Sequence, residues 1–322
     1  LGAVLAAKTA PSQFGLNLQG SNQVFGDCPH PIHPELIAGG GAGTAAYWVK
    51  KGGAPLGFGL DSSAGIRIPA AFQGLFGFRM ARNEYARGGV LPIAPSVDAV
   101  GFVCNRPDDL LRTIQAFHPD ADGHIDRSPR GYRLEDPEIR LDPQLRAGFM
   151  GLASHLDIDE RPGLNKKLIG AFDQAATAFA TIKNRQLFTV HKYWAEEYRE
   201  QYEEALLDQI EDGQLCTAAR AERAAAVELD VRLAFARFFE QYDYLILPVT
   251  PTPTPTRDNW TLQMEQDLRQ LNALTSLSAL PALILPFDCG SGRSSAAQLI
   301  LNPRKLHLCA PILDQVSRFY AS

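Results

Sequence analysis

The stretch Gly57-Phe58-Gly59-Leu60-Asp61-Ser62-Ser63-Ala64-Gly65-Ile66-Arg67-Ile68-Pro69 decides how this 322-residue chain is read. A short apolar run ends in a loop of small residues, which then meets an apolar turn closing on proline. A second loop, Gly39-Gly40-Gly41-Ala42-Gly43-Thr44, lies just upstream. Glycine lets two backbones approach closely and leaves N–H groups free to converge on negative charge. Paired loops of this kind suit a centre that stabilises an anion. Yet the positions where a nucleophile is expected carry no hydroxyl.

The composition is that of globular material, with 45% hydrophobic and 21% charged residues. A formal net charge of -5 argues against nucleic acid or an anionic membrane surface as the main partner. No apolar run approaches the roughly 18 residues of a membrane span. The opening Leu1–Ala7 is apolar, but it is too short and lacks the basic flank of a signal peptide. It predicts the first strand of the fold, over Ala3–Ala7. The five cysteines are odd in number and scattered, which predicts reduced thiols and a cytoplasmic protein. Cys28, His30 and His33 have the chemistry of zinc ligands. Three prolines stiffen their segment and no second cluster supplies a fourth ligand, so a surface loop is expected, with no metal and no cofactor.

Outward from the glycine loops the chain alternates strands and helices. Thr44–Lys51 reads as a helix stopped by Gly52-Gly53, Leu56–Gly59 as a strand, and Ala70–Phe78 as a buried segment. Pro107–Ala116 reads as a helix with proline and two acids in its first turn. Phe117–Pro143 turns polar and is expected to be a surface excursion. Helical spacing then predicts helices within Asn165–Phe179, over Tyr193–Ile210 and over Thr217–Tyr242, the last with an apolar face of Ala226, Leu229, Leu233, Ala236 and Phe239. Tyr244–Pro248, Leu283–Pro286 and Ala297–Leu301 read as buried strands. The Thr-Pro run at 249–256 is a rigid loop at a strand's carboxyl end, where α/β folds place ligand sites. These elements predict one α/β domain over 1–322, a central mixed sheet covered by helices, with 117–242 as a largely helical cover.

Gly59-Leu60-Asp61-Ser62-Ser63-Ala64-Gly65-Ile66-Arg67-Ile68-Pro69 resembles the Gly-Thr-Asp-x-Gly-Gly-Ser-Ile-Arg-x-Pro loop of the amidase signature family. The similarity continues through Gly2–Thr9, Gly88–Pro92, Ser96–Gly101, Tyr244–Pro253, Leu280–Ala282 and Gln298–Ile300. Members hydrolyse amides with a lysine, a serine in a cis peptide and a serine nucleophile. The resemblance puts the nucleophile position on Gly65 and the cis-serine position on Gly41, beside Ala42. It puts the lysine on a strand upstream of Leu1; Lys8 is not that lysine.

Glycine supplies neither an oxygen to attack with nor a hydroxyl to relay a proton. An oxyanion hole of backbone N–H groups survives such a loss. The resemblance assigns it to the turn Ser62, Ser63, Ala64 and Gly65, with Gly41 and Ala42 opposite. Ser62 and Ser63 are the fallback nucleophiles, although turn serines of this kind more often cap backbone. Asp61, Arg67 and Asp98 are expected to shape the loops through ion pairs and hydrogen bonds. Gln73 and Thr44 are possible ligand contacts. The leading expectation is therefore a non-hydrolytic amidase-fold protein that binds a small amide or carboxylate, or acts as a partner subunit or homodimer. The alternative is an active amidase using displaced residues, or one completed by a missing segment or second chain.

Overall fold

The computed structural model describes residues 2–82, 89–122 and 127–321. Leu1, Gly88 of the Gly88–Pro92 segment, and positions 123–126 of the polar excursion lie outside the described residues.

Eight strands share one mixed sheet: β1 (Leu56–Leu60), β2 (Phe76–Arg79), β3 (Val100–Cys104), β4 (Gly131–Arg133), β5 (Ile158–Asp159), β6 (Tyr244–Pro248), β7 (Ala282–Asp288) and β8 (Ser294–Leu301). Their spatial order is β1-β3-β2-β7-β8-β6-β4-β5. β4 runs parallel to β5 and β6, and the remaining pairs are antiparallel. The central strands are apolar on both faces because both are covered. Leu283 and Leu285 of β7 enter one core cluster while Ile284 between them enters another. Leu299 and Leu301 of β8 likewise alternate with Ile300.

The cover is α1 (Gly43–Lys50), α2 (Arg67–Gln73), α3 (Pro107–Phe117), α4 (Pro143–Ala153), α5 (Pro162–Phe172), α6 (Ala175–Glu197), α7 (Glu204–Gln214), α8 (Ala218–Phe238), α9 (Leu262–Ser278) and α10 (Cys309–Ala321). α2 is buried along its whole length, which places the second loop at the centre of the molecule. α3 and α4 carry proline in the first turn, and Asp142 caps α4 by accepting from the amides of Gln144 and Leu145. None of the described helices is long and apolar enough to cross a membrane.

Four expectations are corrected. Ala3–Ala7 forms no strand; it is exposed, with Val4 at 89%. An apolar stretch becomes a strand only where a neighbour takes its hydrogen bonds, and none among the described residues does so here. Within Phe117–Pro143, β4 is part of the sheet and Tyr132 is buried; three residues give no alternation to read. The 193–210 helix is two helices, α6 and α7, broken at Tyr198–Glu203. At the break the Tyr202 ring packs near Phe14, the Glu203 amide donates to Gln13 Oε1 and Asn17 Nδ2 donates to Glu203, so contacts from far in sequence override local propensity. α8 buries Ala224, Val231, Phe235 and Phe238, leaving Leu229 57% and Leu233 46% exposed. Both sets recur at helical spacing, so periodicity alone could not choose the inner face.

Candidate functional site

Asp61 is the anchor of the second loop. It is fully buried and accepts from the amides of Ile66 and Arg67 at 3.0 and 3.2 Å. Arg67 Nη2 lies 2.8 Å and Arg79 Nε 2.9 Å from its Oδ1. Burial pushes the carboxyl up, but the two guanidinium groups outweigh it and hold the group below its ordinary value. The remaining donors are also placed. Arg67 reaches Asn272, Ser276 and Gln298; Arg79 reaches the carbonyls of Leu280 and Val97. Through Arg67, this buried cluster ties the loop to α9 and β8.

Asp98 holds the neighbouring side. It accepts from Ser62 Oγ at 2.6 Å and from the amides of Ile93 and Ala94. The Ser62 hydroxyl is therefore engaged and buried. Ser63 differs: its Oγ is buried with no partner among the described residues.

The two glycine loops meet through bare backbone. The Gly65 carbonyl accepts from the Ala42 amide at 2.8 Å, and the Gly41 amide donates to Ser12 Oγ at 2.9 Å. Gly41 has φ +64°, and a Cβ there would lie 2.3 Å from the Gly65 Cα. A Cβ on Gly65 would lie 2.4 Å from the Leu60 carbonyl oxygen. Neither position has room for a side chain while the loops stay where they are.

The amides of Ser62, Ser63, Ala64 and Gly65 donate to no acceptor among the described residues. Ala64 sits in the left-handed region at φ +62°, a backbone conformation that anion-binding nests use. The space beside them, bounded by Leu18, Ser63, Ala64, Phe179 and Asn272, measures about 10 Å³. That is roughly the room one water molecule requires. No hydrolysable substrate fits it as it stands.

The secondary candidates serve the walls. Gln73 Nε2 donates to the carbonyls of Ala38 and Gly43, stapling the first loop to α2. Thr44 faces the Cys28 thiol, which burial pushes up. His30 donates through Nε2 to the Phe72 carbonyl and accepts at Nδ1 from the His33 amide, so both its nitrogens are occupied. Among the described residues no group of three His, Cys, Asp or Glu side chains could hold a metal. Arg79, Asn272, Ser276 and Gln298 were not singled out from sequence. Gln298, alone in the apolar run Ala296–Leu301, carried the one available signal, since a polar residue in a buried strand needs a partner.

A family model described as Amidase matches residues 1–162. Outer envelope protein 64, chloroplastic, of Arabidopsis thaliana is 22% identical over 87% of the chain and 52% of its own length. Translocon at the outer membrane of chloroplasts 64, of Pisum sativum, is 30% identical over 42% of the chain and 23% of its own length. Indoleacetamide hydrolase of Pseudomonas savastanoi is 35% identical over 34% and 24%. The chain thus spans about half or less of the curated relatives it matches. Among solved structures, one described as an amidase superposes with a TM-score of 0.87 at 23% identity, covering 99% of this chain and 75% of that one. Another, from a vestigial protein complex related to an s-triazine catabolic enzyme, gives 0.84 at 20% identity, covering 97% and 73%. Such identities speak for the fold. Together with the family match over half its residues, they make this chain a member of the amidase family.

Proposed function

We propose that this chain is a non-hydrolytic member of the amidase family that works as a binding or partner protein. The observation that carries this is the contact of Gly41 with Gly65. By resemblance these are the cis-serine and nucleophile positions. Their backbones pack together, leaving no hydroxyl and no space for one. Family chemistry needs an oxygen that attacks the carbonyl and a relay that takes its proton. Neither exists at these positions. The free amides of 62–65 keep the form of an oxyanion site, but a void of about 10 Å³ admits no small amide or carboxylate. That volume favours the partner role over a ligand held at the nest.

The sheet supports the same choice. β1 pairs only with β3 among the described strands, and Phe58 on it, which packs on Phe102 and Phe117, is 44% exposed. An open edge of this kind is a template for an added strand. A strand from a second polypeptide or a second copy would complete it. The five unpaired cysteines fit a reducing compartment such as the cytoplasm.

The second reading, an amidase with a displaced nucleophile, rests on the unpartnered Ser63 Oγ. One experiment separates the two. Purified protein is assayed on primary and aryl amides and treated with a fluorophosphonate probe. No turnover and no labelling are expected. Turnover that is abolished by Ser63→Ala or Ser62→Ala would establish the rival.

A further inference from the structure

A recess of about 510 Å³ lies away from the glycine loops. The small void beside Ser63 is bounded by Leu268, Asn272 and Ser276 of α9, which recur every four residues on one face. The recess touches Gln270, Leu271 and Leu274, on the opposite face of the same helix. It also lies at the carboxyl ends of the parallel strands β4 and β6: β4 leads into Leu134–Leu141, and Leu247 and Pro248 end β6. Open α/β sheets place ligands at such ends.

The wall is fixed before any ligand arrives. Asn165 accepts from the Glu135 amide at 3.0 Å and donates to the Glu135 carbonyl at 2.8 Å. Gln270 Nε2 donates to Asp136 Oδ2 at 2.7 Å. The floor is apolar, formed by Ile139, Phe149, Phe172, Leu271 and Leu274. The rim holds charges of both signs. Arg140 and Arg146 pair with no carboxylate among the described residues. Among the same residues Glu138 pairs with no cation, and Asp173 accepts only from the side-chain amide of Gln174. Asp136 adds a third carboxylate without a cation.

An apolar floor under a rim of uncommitted opposite charges fits one kind of small molecule. We propose that the recess binds a free α-amino acid with a large apolar side chain. The side chain lies on the floor, the carboxylate meets Arg140 and Arg146, and the ammonium meets Glu138 and Asp173. A simple acid would face unpaired carboxylates, and a simple amine would face unpaired guanidinium groups, so each is disfavoured. The rim is solvated, so affinity is set mainly by the buried side chain and is on the order of 1 mM. This inference stands apart from the reading of Gly41 and Gly65.

Titration calorimetry on the intact chain tests it with four probes: L-phenylalanine, 3-phenylpropanoate, 2-phenylethylamine and glycine. L-phenylalanine should bind several-fold more tightly than 3-phenylpropanoate or 2-phenylethylamine, which each lose one solvated charge contact, and at least about tenfold more tightly than glycine, which loses the side chain. Ile169→Trp, which fills the recess from its lining, should abolish binding. Arg140→Gln and Glu138→Gln, both at exposed positions, should each weaken it several-fold and keep the test open should Ile169→Trp unfold. Failure of L-phenylalanine to saturate folded protein in the millimolar range would overturn the assignment. So would equal binding of 3-phenylpropanoate or 2-phenylethylamine, or binding unchanged in a folded Ile169→Trp variant.

Discussion

Gly41 and Gly65 approach so closely that a methyl group on Gly41 would sit 2.3 Å from the Gly65 Cα, while the Ala42 amide holds the Gly65 carbonyl at 2.8 Å. Placing serine at either position must displace the backbone that its side chain meets. Gly41→Ser and Gly65→Ser should each lower stability by about 3 kcal/mol, the range of overpacking with backbone strain. Neither should create amide hydrolysis. Urea unfolding with a parallel amidase assay checks both points. A stable, active Gly65→Ser protein would mean that a base is already in place.

Asp61→Asn removes the acceptor shared by Arg67 and Arg79 and leaves two guanidinium groups buried without a counter-charge. Breaking one side of such a cluster costs about 3–5 kcal/mol. The variant should show a lower urea midpoint. Ser62→Ala, which removes only a hydrogen bond to Asp98, should cost about 1 kcal/mol. Equal losses for the two would contradict the central place given to Asp61.

Lys183 on α6 is buried, and desolvation, with a smaller contribution from Arg269, lowers its ammonium to about 7. The unfolded chain holds that proton to about pH 10.4. Between those values the unfolded state binds more protons, so the contribution to stability falls as pH drops from about 10.4 to about 7 and is flat below. Lys183→Met should erase that slope and raise stability at neutral pH. Comparing the two proteins by thermal unfolding across the window isolates the effect from other titrating groups.

Asp243 behaves oppositely. Burial pushes its carboxyl up, but Arg127, the Arg130 amide and Lys305 bring it down to about 2. Its stabilisation is complete above the unfolded value near 3.9 and is lost as pH falls toward 2. Arg127 and Lys305 are partly solvated, so the loss is about 1–2 kcal/mol and shrinks in salt. Asp243→Asn should flatten acid unfolding over that interval.

The open edge of β1 predicts association. Phe58→Lys places a charge on that strand at the expense of ring contacts with Phe102 and Phe117, and should weaken self-association, or capture of a partner strand, in protein that circular dichroism shows to be folded. Sedimentation over a concentration series reads this directly. An unchanged mass distribution in a wild-type protein that does associate would locate the contact elsewhere.

Much of the architecture was legible because it follows from local rules. The runs at Tyr244–Pro248 and Leu283–Pro286 are apolar on both faces, as strands covered twice must be. What escaped depended on distant partners. The break at Tyr198–Glu203 is set by Gln13, Phe14 and Asn17, between 186 and 190 residues earlier. The inner face of α8 is chosen by what packs against Phe235 and Phe238 rather than by spacing. At the loops, residue types identified Asp61 and Arg67, but the partnership with Asn272, Ser276 and Gln298 needed three dimensions. The tightness of the Gly41–Gly65 contact was invisible for the same reason.

The Asp61–Arg67–Arg79 cluster bears on how such sequences are recognised. Its residues hold the loop in shape whether or not a reaction occurs there, so selection for folding preserves them on its own. A signature built around them tracks ancestry and architecture, and a lineage could abandon its chemistry without losing that mark. In this chain, Asp61 and Arg67 report descent, while the atoms at 41 and 65 are where a change of occupation would be recorded.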